Sequence, residues 1–410
     1  MNERNRELGR TGLRRYGGML YEEYDPELRG LRGVKVWSEM ENDATVAALM
    51  FAIKNLIRQT SWRVQAAGSK DADKRAAEFL ESNLEDMSNT WQDTLSEILS
   101  FLIFGWSVHE ICYKRRMGRH KDSRLDSKYS DGLIGWQKLP IRAQETLYEW
   151  EFDAHDNLTA FVQMPAPDYE IIRIPAEKIL IFRTESRKGN PEGRSILRGA
   201  YHSWYFKKRL QELEAIGVER DLAGYPVLVA PDGVDIWSEN NVELYGKCLE
   251  FVQNIRRDSM EGLVLPAGWS LQLLSTGSRR SFDTNQIIQR YSTEISMTVL
   301  ADFILLGHES VGSFALSSDK TRLFAVAVGT YLDIIADVFN RYAIPKLLNL
   351  NSKAFPNLSG FPMLLHDDIE TADLKSLGEF LKTVCGLGLI EPDEQLENYL
   401  RTQANLPERI

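Results

Sequence analysis

Residues 189–231 read GNPEGRSILRGAYHSWYFKKRLQELEAIGVERDLAGYPVLVAP. This run decides the fold, because a loop, a long helix and a strand follow one another inside it. Gly189, Asn190, Pro191 and Gly193 punctuate the loop. The helix runs from the YHSWYFKK segment until Gly224 and Pro226 stop it. YPVLVAP is then a short strand.

Downstream, Asn240 to Asp258 predicts a helix, and GLVLP and SLQLLS predict two more strands. Residues 225–275 thus form a compact β-α-β-β insert. A second long helix is predicted from Thr284 to Leu306. The insert leaves and returns at one place, so the two flanking helices run antiparallel. A helix of ~20 residues spans ~30 Å, so the insert rides on a two-helix stalk. Such a module has too little core to be a free domain. Neighbours in an oligomer would supply the missing contacts.

Upstream, DATVAALMFAIKNLIRQT (residues 43–60) carries apolar residues at helical spacing, with Asp43 as its N-cap. SWRVQAAG predicts a strand, and Lys70–Met87 and Thr90–Gly105 predict helices. GWSVHEICYKR (residues 105–115) alternates like a single strand. A polar loop follows at 117–132, and further strand-like runs make residues 106–184 β-rich, with a hairpin turn at His155-Asp156-Asn157. Trp106, Trp136, Trp150 and Tyr148 in these strands read as core. The first ~18 residues, with Arg4, Arg6, Arg10, Arg14 and Arg15, predict a mobile basic arm. A helix from Thr321 to Leu350 is interrupted by Pro345, and the C-terminal segment predicts two short helices joined at GLGLIEP. The fold class is α+β, and 410 residues predict two to three domains.

The net charge is −10, so the whole chain is not a basic nucleic-acid binder. An acidic surface still suits a path along which DNA slides without being gripped. No apolar run approaches the ~18–20 residues that span a bilayer, and the N-terminus lacks a signal core, which predicts a cytoplasmic chain with no membrane partner. Cys112, Cys248 and Cys385 are far apart and form no CxxC, so buried free thiols are expected.

GHESVGSFALSSDK (residues 307–320) is rich in Gly and Ser, but Ser313 and Phe314 stand where a phosphate loop needs Lys then Ser/Thr. GNPEGRSILRG lacks that ending too. The histidines at 109, 120, 155, 202, 308 and 366 make no HExxH and no metal-ligand spacing. His308-Glu309 would make half of a catalytic pair, but nothing local completes it. Glu110 reads as a structural contact, and Asp367-Asp368 with Asp373 reads as the acidic first turn of a helix. No catalytic residue, metal or cofactor is expected.

With these features in place, the chain resembles the portal proteins of tailed bacteriophages, in the branch found in Mu-like prophages. The resemblance rests on Gly189, Asn190, Pro191, Gly193, Leu197, Arg198, Trp204, Phe206, Lys207, Glu219, Arg220, Gly224 and Pro226 in the quoted run. GWSVHEICYKRR adds Gly105, Ser107 and Glu110, and DIETADLKSLGEFLKTVCGLGLIEPDEQLENYLR matches the family's C-terminal region. It covers most of residues 40–405, and its specificity lies in the order and spacing of the motifs.

The resemblance implies a portal-protein fold with a β-rich and helical wing, a two-helix stem, a small α/β clip and a short helical crown. On this sequence the arm is 1–18, the wing 19–199 and the stem 200–224 with 278–306. The clip is 225–277, the tunnel loop 307–320, a helix returning to the wing 321–359 and the crown 360–410. It implies a dodecameric, non-enzymatic ring at a capsid vertex of the virion, assembled in the host cytoplasm. Its partners would be other copies of the chain, non-specific double-stranded DNA, terminase, the major capsid protein and a head–tail connector or adaptor. The DNA-facing residues would be His308, Glu309, Ser310, Val311, Gly312, Ser313, Phe314 and Lys320. The docking residues of the clip would be Asp232, Asp235, Trp237, Arg256 and Arg257. The tunnel loop would act as a soft gasket or valve. The alternatives are a phage nuclease or NTPase with a non-local active site, and a capsid or tail adaptor without a DNA channel.

Overall fold

The computed structural model describes residues 9–223, 225–253, 264–274, 283–300 and 314–369, with residues 382 and 397. The chain divides into two compact units, Met1–Gly199 with Ser296–Ile410, and Ala200–Ile295.

In the first unit, Asp43 caps the helix Ala44–Gln59, its carboxylate accepting from the backbone N–H groups of Thr45 and Val46 at 2.9 and 3.2 Å. Val46, Leu49, Ile53 and Ile57 are its buried stripe. The run after Thr90 is two helices, Trp91–Ile98 and Ser100–Phe104. Thr90 and Asp93 close a capping box at the start, and Gly105 ends the pair at φ +87°.

The single strand expected over 105–115 is two. Trp106–Glu110 lies between Ile179–Arg183 and Ile141–Arg142 in an antiparallel sheet, while Cys112–Arg115 pairs with Ile134–Lys138. Residues 106–109 are all buried, so alternation along the strand does not separate an inner from an outer face. A second antiparallel sheet sets Leu158–Gln163 between Leu147–Phe152 and Ile172–Pro175. Its hairpin turns at Asp156, φ +64°. Trp106, Trp150 and Phe161 meet edge to face, 5.2–6.2 Å apart, in the core. Trp136 is also buried, whereas Tyr148 is exposed, contrary to its core reading. Cys112 and Cys248 are free but half-buried rather than buried.

The end of the predicted mobile arm is corrected, while residues 1–8, with Arg4 and Arg6, lie outside the described residues. Arg15–Tyr16 and Met19–Leu20 form a hairpin around Gly17 and Gly18, both at positive φ. Arg15 pairs with Asp156 and lies over the Phe152 ring at 4.4 Å. The backbone N–H of Trp150 donates to the Gly18 carbonyl at 3.0 Å. The hairpin is therefore strapped to the second sheet.

The long helix Phe314–Val338 passes through a π turn at Phe339–Ala343 into Ile344–Leu350. Pro345 has no N–H, and its ring would strike the carbonyl four residues back, so the wider turn ahead of it absorbs the conflict. That turn presents Phe339 to Trp91, Trp136 and Phe182 at 5.2–6.0 Å. The stretch Arg322–Leu350, of mean hydropathy 1.5, is long and apolar enough to cross a membrane, against the expectation that no such run exists. Phe324, Val328, Leu332, Ile335 and Phe339 are buried in the first unit, so the helix serves its core. Met363–His366 pairs antiparallel with Trp62–Gln65. Asp367 continues that edge, bonding Arg63 at 2.5 Å, and is not the first turn of a helix.

In the second unit, Tyr201–Ala223 is a helix, and Tyr225–Val229 pairs antiparallel with Ser270–Leu274. The second long helix is Thr284–Met297, shorter than the expected Thr284–Leu306, because the chain turns at 298–300 with Leu300 at φ +57°. Val242–Gln253 is the helix between those strands. Val264–Pro266 carries no strand, so the described insert is β-α-β. Pro266 lacks an N–H to pair and Val264 is 93% exposed. Of the predicted C-terminal helices, only Lys382 and Glu397 are among the described residues, and both are helical.

Candidate functional site

Three places carry the residues singled out above. The first is the loop at 307–320. His308, Glu309, Ser310, Val311, Gly312 and Ser313 lie outside the described residues. Phe314 and Lys320 belong to the helix Phe314–Val338, so the loop ends earlier than expected. No Gly or Pro follows Gly312 until Gly329, and nothing in between interrupts a helix.

The second place is the unit Ala200–Ile295. Its long helices are antiparallel. Ser203 donates to the Glu294 carboxylate at 2.7 Å, Phe206 stacks on Tyr291 at 6.4 Å, and Thr284 donates to Glu214. As the first helix advances, its partners on the second recede. Tyr205, Phe206, Leu213 and Ile216 are 46–56% exposed. At 100° per residue they fall within about 100° of arc, which they share with exposed His202 and Arg209, so large apolar and basic side chains alternate on this exposed face. The helix Val242–Gln253 has no buried residue, although Leu244, Leu249, Phe251 and Val252 lie along it.

Of the expected docking residues, Asp232, Asp235 and Trp237 are exposed together on the loop before that helix. The Asp235 carboxylate accepts from the Trp237 N–H at 3.0 Å, and its carbonyl accepts from the Asn241 amide at 2.7 Å. Asp235 therefore builds the loop as well as charging it. Trp237 is 81% exposed, with its ring 5.1 Å from Tyr245. Arg256 and Arg257 lie outside the described residues.

The third place is where two sequence motifs meet. Gly105 and Gly193 are in backbone contact. A Cβ on Gly193 would collide with the Gly105 carbonyl, and one on Gly105 would sit 2.9 Å from the backbone of Arg194. Thr184 locks the seam, its hydroxyl donating to the Arg194 carbonyl at 2.6 Å and accepting from the Arg194 N–H at 2.9 Å. Arg198 grips Glu23 through two bonds of 2.7 and 2.9 Å. Glu110, as expected, is structural and pairs with Arg142.

A cleft of about 330 Å³ lies beside this seam, lined by Trp106, Gln144, Glu192 and Arg29 among others. Burial raises the Glu192 carboxyl above its usual range, partly offset by the bond from the Trp150 indole N–H at 3.0 Å. Glu22 bonds Lys188, and Arg29 donates to the carbonyls of Glu23 and Tyr24. The sequence motif signalled Arg198 but not its partner Glu23, which lies just after the N-terminal hairpin. Among the described residues no group of three or more His, Cys, Asp or Glu is placed to hold a metal ion.

The architecture is similar to chains in gene transfer agent (GTA) particles. One, in the virion of a native particle, is 9% identical, with 91% of this chain and 94% of that chain covered and a TM-score of 0.54. One in the neck of an empty particle computed with C6 symmetry is 10% identical, with 96% of each chain covered and a TM-score of 0.51. One in the neck of a native particle computed with C12 symmetry is 11% identical, with 92% and 94% covered and a TM-score of 0.50. At such identities the likeness is one of fold. The sequence itself matches the family described as the portal protein of Mu bacteriophage over residues 34–405. With the match spanning nearly the whole sequence, the chain belongs to the family of the Mu bacteriophage portal protein.

Proposed function

We propose that this chain is the subunit of a ring of twelve at a capsid vertex, through which duplex DNA enters during packaging and leaves during ejection. The observation that carries the reading is the unit Ala200–Ile295. It combines an antiparallel helix pair, the exposed large apolar side chains of Tyr205, Phe206, Leu213 and Ile216, and a helix with no buried residue. A lone subunit leaves that surface in water, and a ring covers it with the next copy. Family membership supplies the conduit role, and the C12 neck in which a similar fold occurs supports twelve copies.

In this reading the wing is 19–199 with the helix from Phe314, the stem 200–224 with 278–306, and the clip 225–277. The tunnel loop shortens to 307–313, because the helix begins at Phe314. The crown starts beyond Asp367, because Met363–His366 belongs to the wing's sheet. The exposed Trp237 with Asp232 and Asp235 forms a docking surface for terminase and connector proteins, and the major capsid protein surrounds the wing. The role is structural, with no catalytic residue assigned. Purified protein should size as a ring and show a central hole by negative-stain imaging. A compact species without a hole at every concentration tested would overturn the reading.

A further inference from the structure

We infer that the hairpin tip 119–126, with its neck residues, is a contact surface for the phosphate backbone of duplex DNA, separate from the tunnel loop. The hairpin extends the pair Cys112–Arg115 and Ile134–Lys138. Its neck is closed where Gly118 N–H donates to the Tyr129 carbonyl at 2.8 Å and Ser127 N–H to the Gly118 carbonyl at 3.0 Å. Beyond that closure eight residues carry Arg119, His120, Lys121 and Arg124, all exposed, and Arg115 and Lys128 flank the neck. A chain of net charge −10 thus places five Lys and Arg side chains and one His at this small hairpin.

Two of the acids nearby are held in ion pairs, the first at the expense of Arg124, and the third is held by a backbone N–H. Asp122 is held by Arg124 at 2.8 Å, and those bonds lower its carboxyl to about 2. The Asp126 carboxylate accepts from the His120 N–H at 2.7 Å, and Asp131 pairs with buried Arg116 at 2.9 Å. Arg119 and Lys121 have no acidic partner among the described residues. Their charge faces water.

The neck is built with unusual investment. Asp86, buried, accepts from the Ser127 hydroxyl and the Lys128 N–H, both at 2.7 Å, and pairs with buried Lys114 at 3.0 Å. Burial raises the Asp86 carboxyl, and these donors outweigh it and leave it lowered. Lys114 also donates to the Asp126 carbonyl at 2.6 Å. Buried ion pairs contribute little net stability against an apolar alternative, but they fix geometry. Here they fix a loop whose exposed side chains are cationic. Rigidly displayed arginines and lysines match a backbone bearing one negative charge per ~1.7 Å of axis. An acidic protein surface lacks that density. The proposal draws on the conduit reading only for DNA being close by, and its test needs no packaging.

The test is duplex binding by assembled wild-type rings and by a triple variant, Arg119→Ala with Lys121→Ala and Arg124→Ala, across a salt series. Each lost phosphate contact lowers the slope of log affinity against log salt by ~0.9. With Arg119 and Lys121 as the two unpartnered contacts, the variant should therefore lose about two in slope and at least about tenfold in affinity near 0.1 M salt. Its rings should be of normal size. A Lys-for-Arg variant, Arg119→Lys with Arg124→Lys, should bind like wild type, which separates charge from folding. Unchanged affinity and slope in the triple variant would overturn the inference, as would equal losses in both variants. A triple variant that kept duplex binding but lost poly-glutamate binding would mark an acidic protein partner instead, and overturn it too.

Discussion

His109 shows what single residues decide. It is fully buried on the central strand, its Nδ1 donates to the Leu139 carbonyl at 2.8 Å, and its Nε2 has no partner. Burial pushes its pKa down to about 4 from 6.5. Below pH 6.5 the unfolded chain takes up a proton that the folded chain refuses. Stability therefore falls as pH drops from 6.5 to about 4, by about 3 kcal/mol at the limit. Urea unfolding of wild type and His109→Gln across pH 4–7 should show the larger loss in wild type. Equal losses would clear His109 of the effect. The strand around His109 was legible in the sequence, but its burial on both faces was not, because alternation reports only one solvated face. Gly105 and Gly193 were legible as motif letters. Their shared reason, one backbone pressed on the other, appears only when residues 88 positions apart are brought together.

At the scale of elements, ends and joints matter more than interiors. Asn351 terminates Ile344–Leu350 and crosses to the strand Ile134–Lys138. It accepts from the Ile134 N–H at 2.9 Å and donates to the Ile134 carbonyl at 2.8 Å. Asn351→Ala would leave both backbone groups unpaired, at about 1–3 kcal/mol each. The urea midpoint should drop accordingly, and a midpoint within error of wild type would remove Asn351 from this role. Helices with Gly, Pro or Asp punctuation, such as Ala44–Gln59 and Tyr201–Ala223, were legible because their stop and start signals are local. The hairpin Arg15–Leu20 and the strand Met363–His366 were not. One is held by Asp156 and Trp150, the other by Trp62–Gln65, and neither partner is near in sequence.

At the scale of the whole molecule, the antiparallel pair of long helices with an α/β insert between them was legible from element order, because a chain that leaves and returns between two long helices has few arrangements open to it. The limits of the loop after the second helix were misjudged, because Ser, Asp and Lys after Phe314 look loop-like yet do not stop a helix. Removing Ser310–Ser313 spares that helix. Rings carrying the deletion should assemble normally yet package or retain less DNA, as read by nuclease-protected DNA per particle. Wild-type levels of protected DNA would reject a gating role. The pairing of Trp62–Gln65 with Met363–His366 also sets a clock on synthesis. At 5–20 residues per second, the ribosome needs roughly 20–70 s to reach the partner strand. Until then the first sheet edge waits unpaired, so a prematurely released chain lacks the clasp that finishes the body.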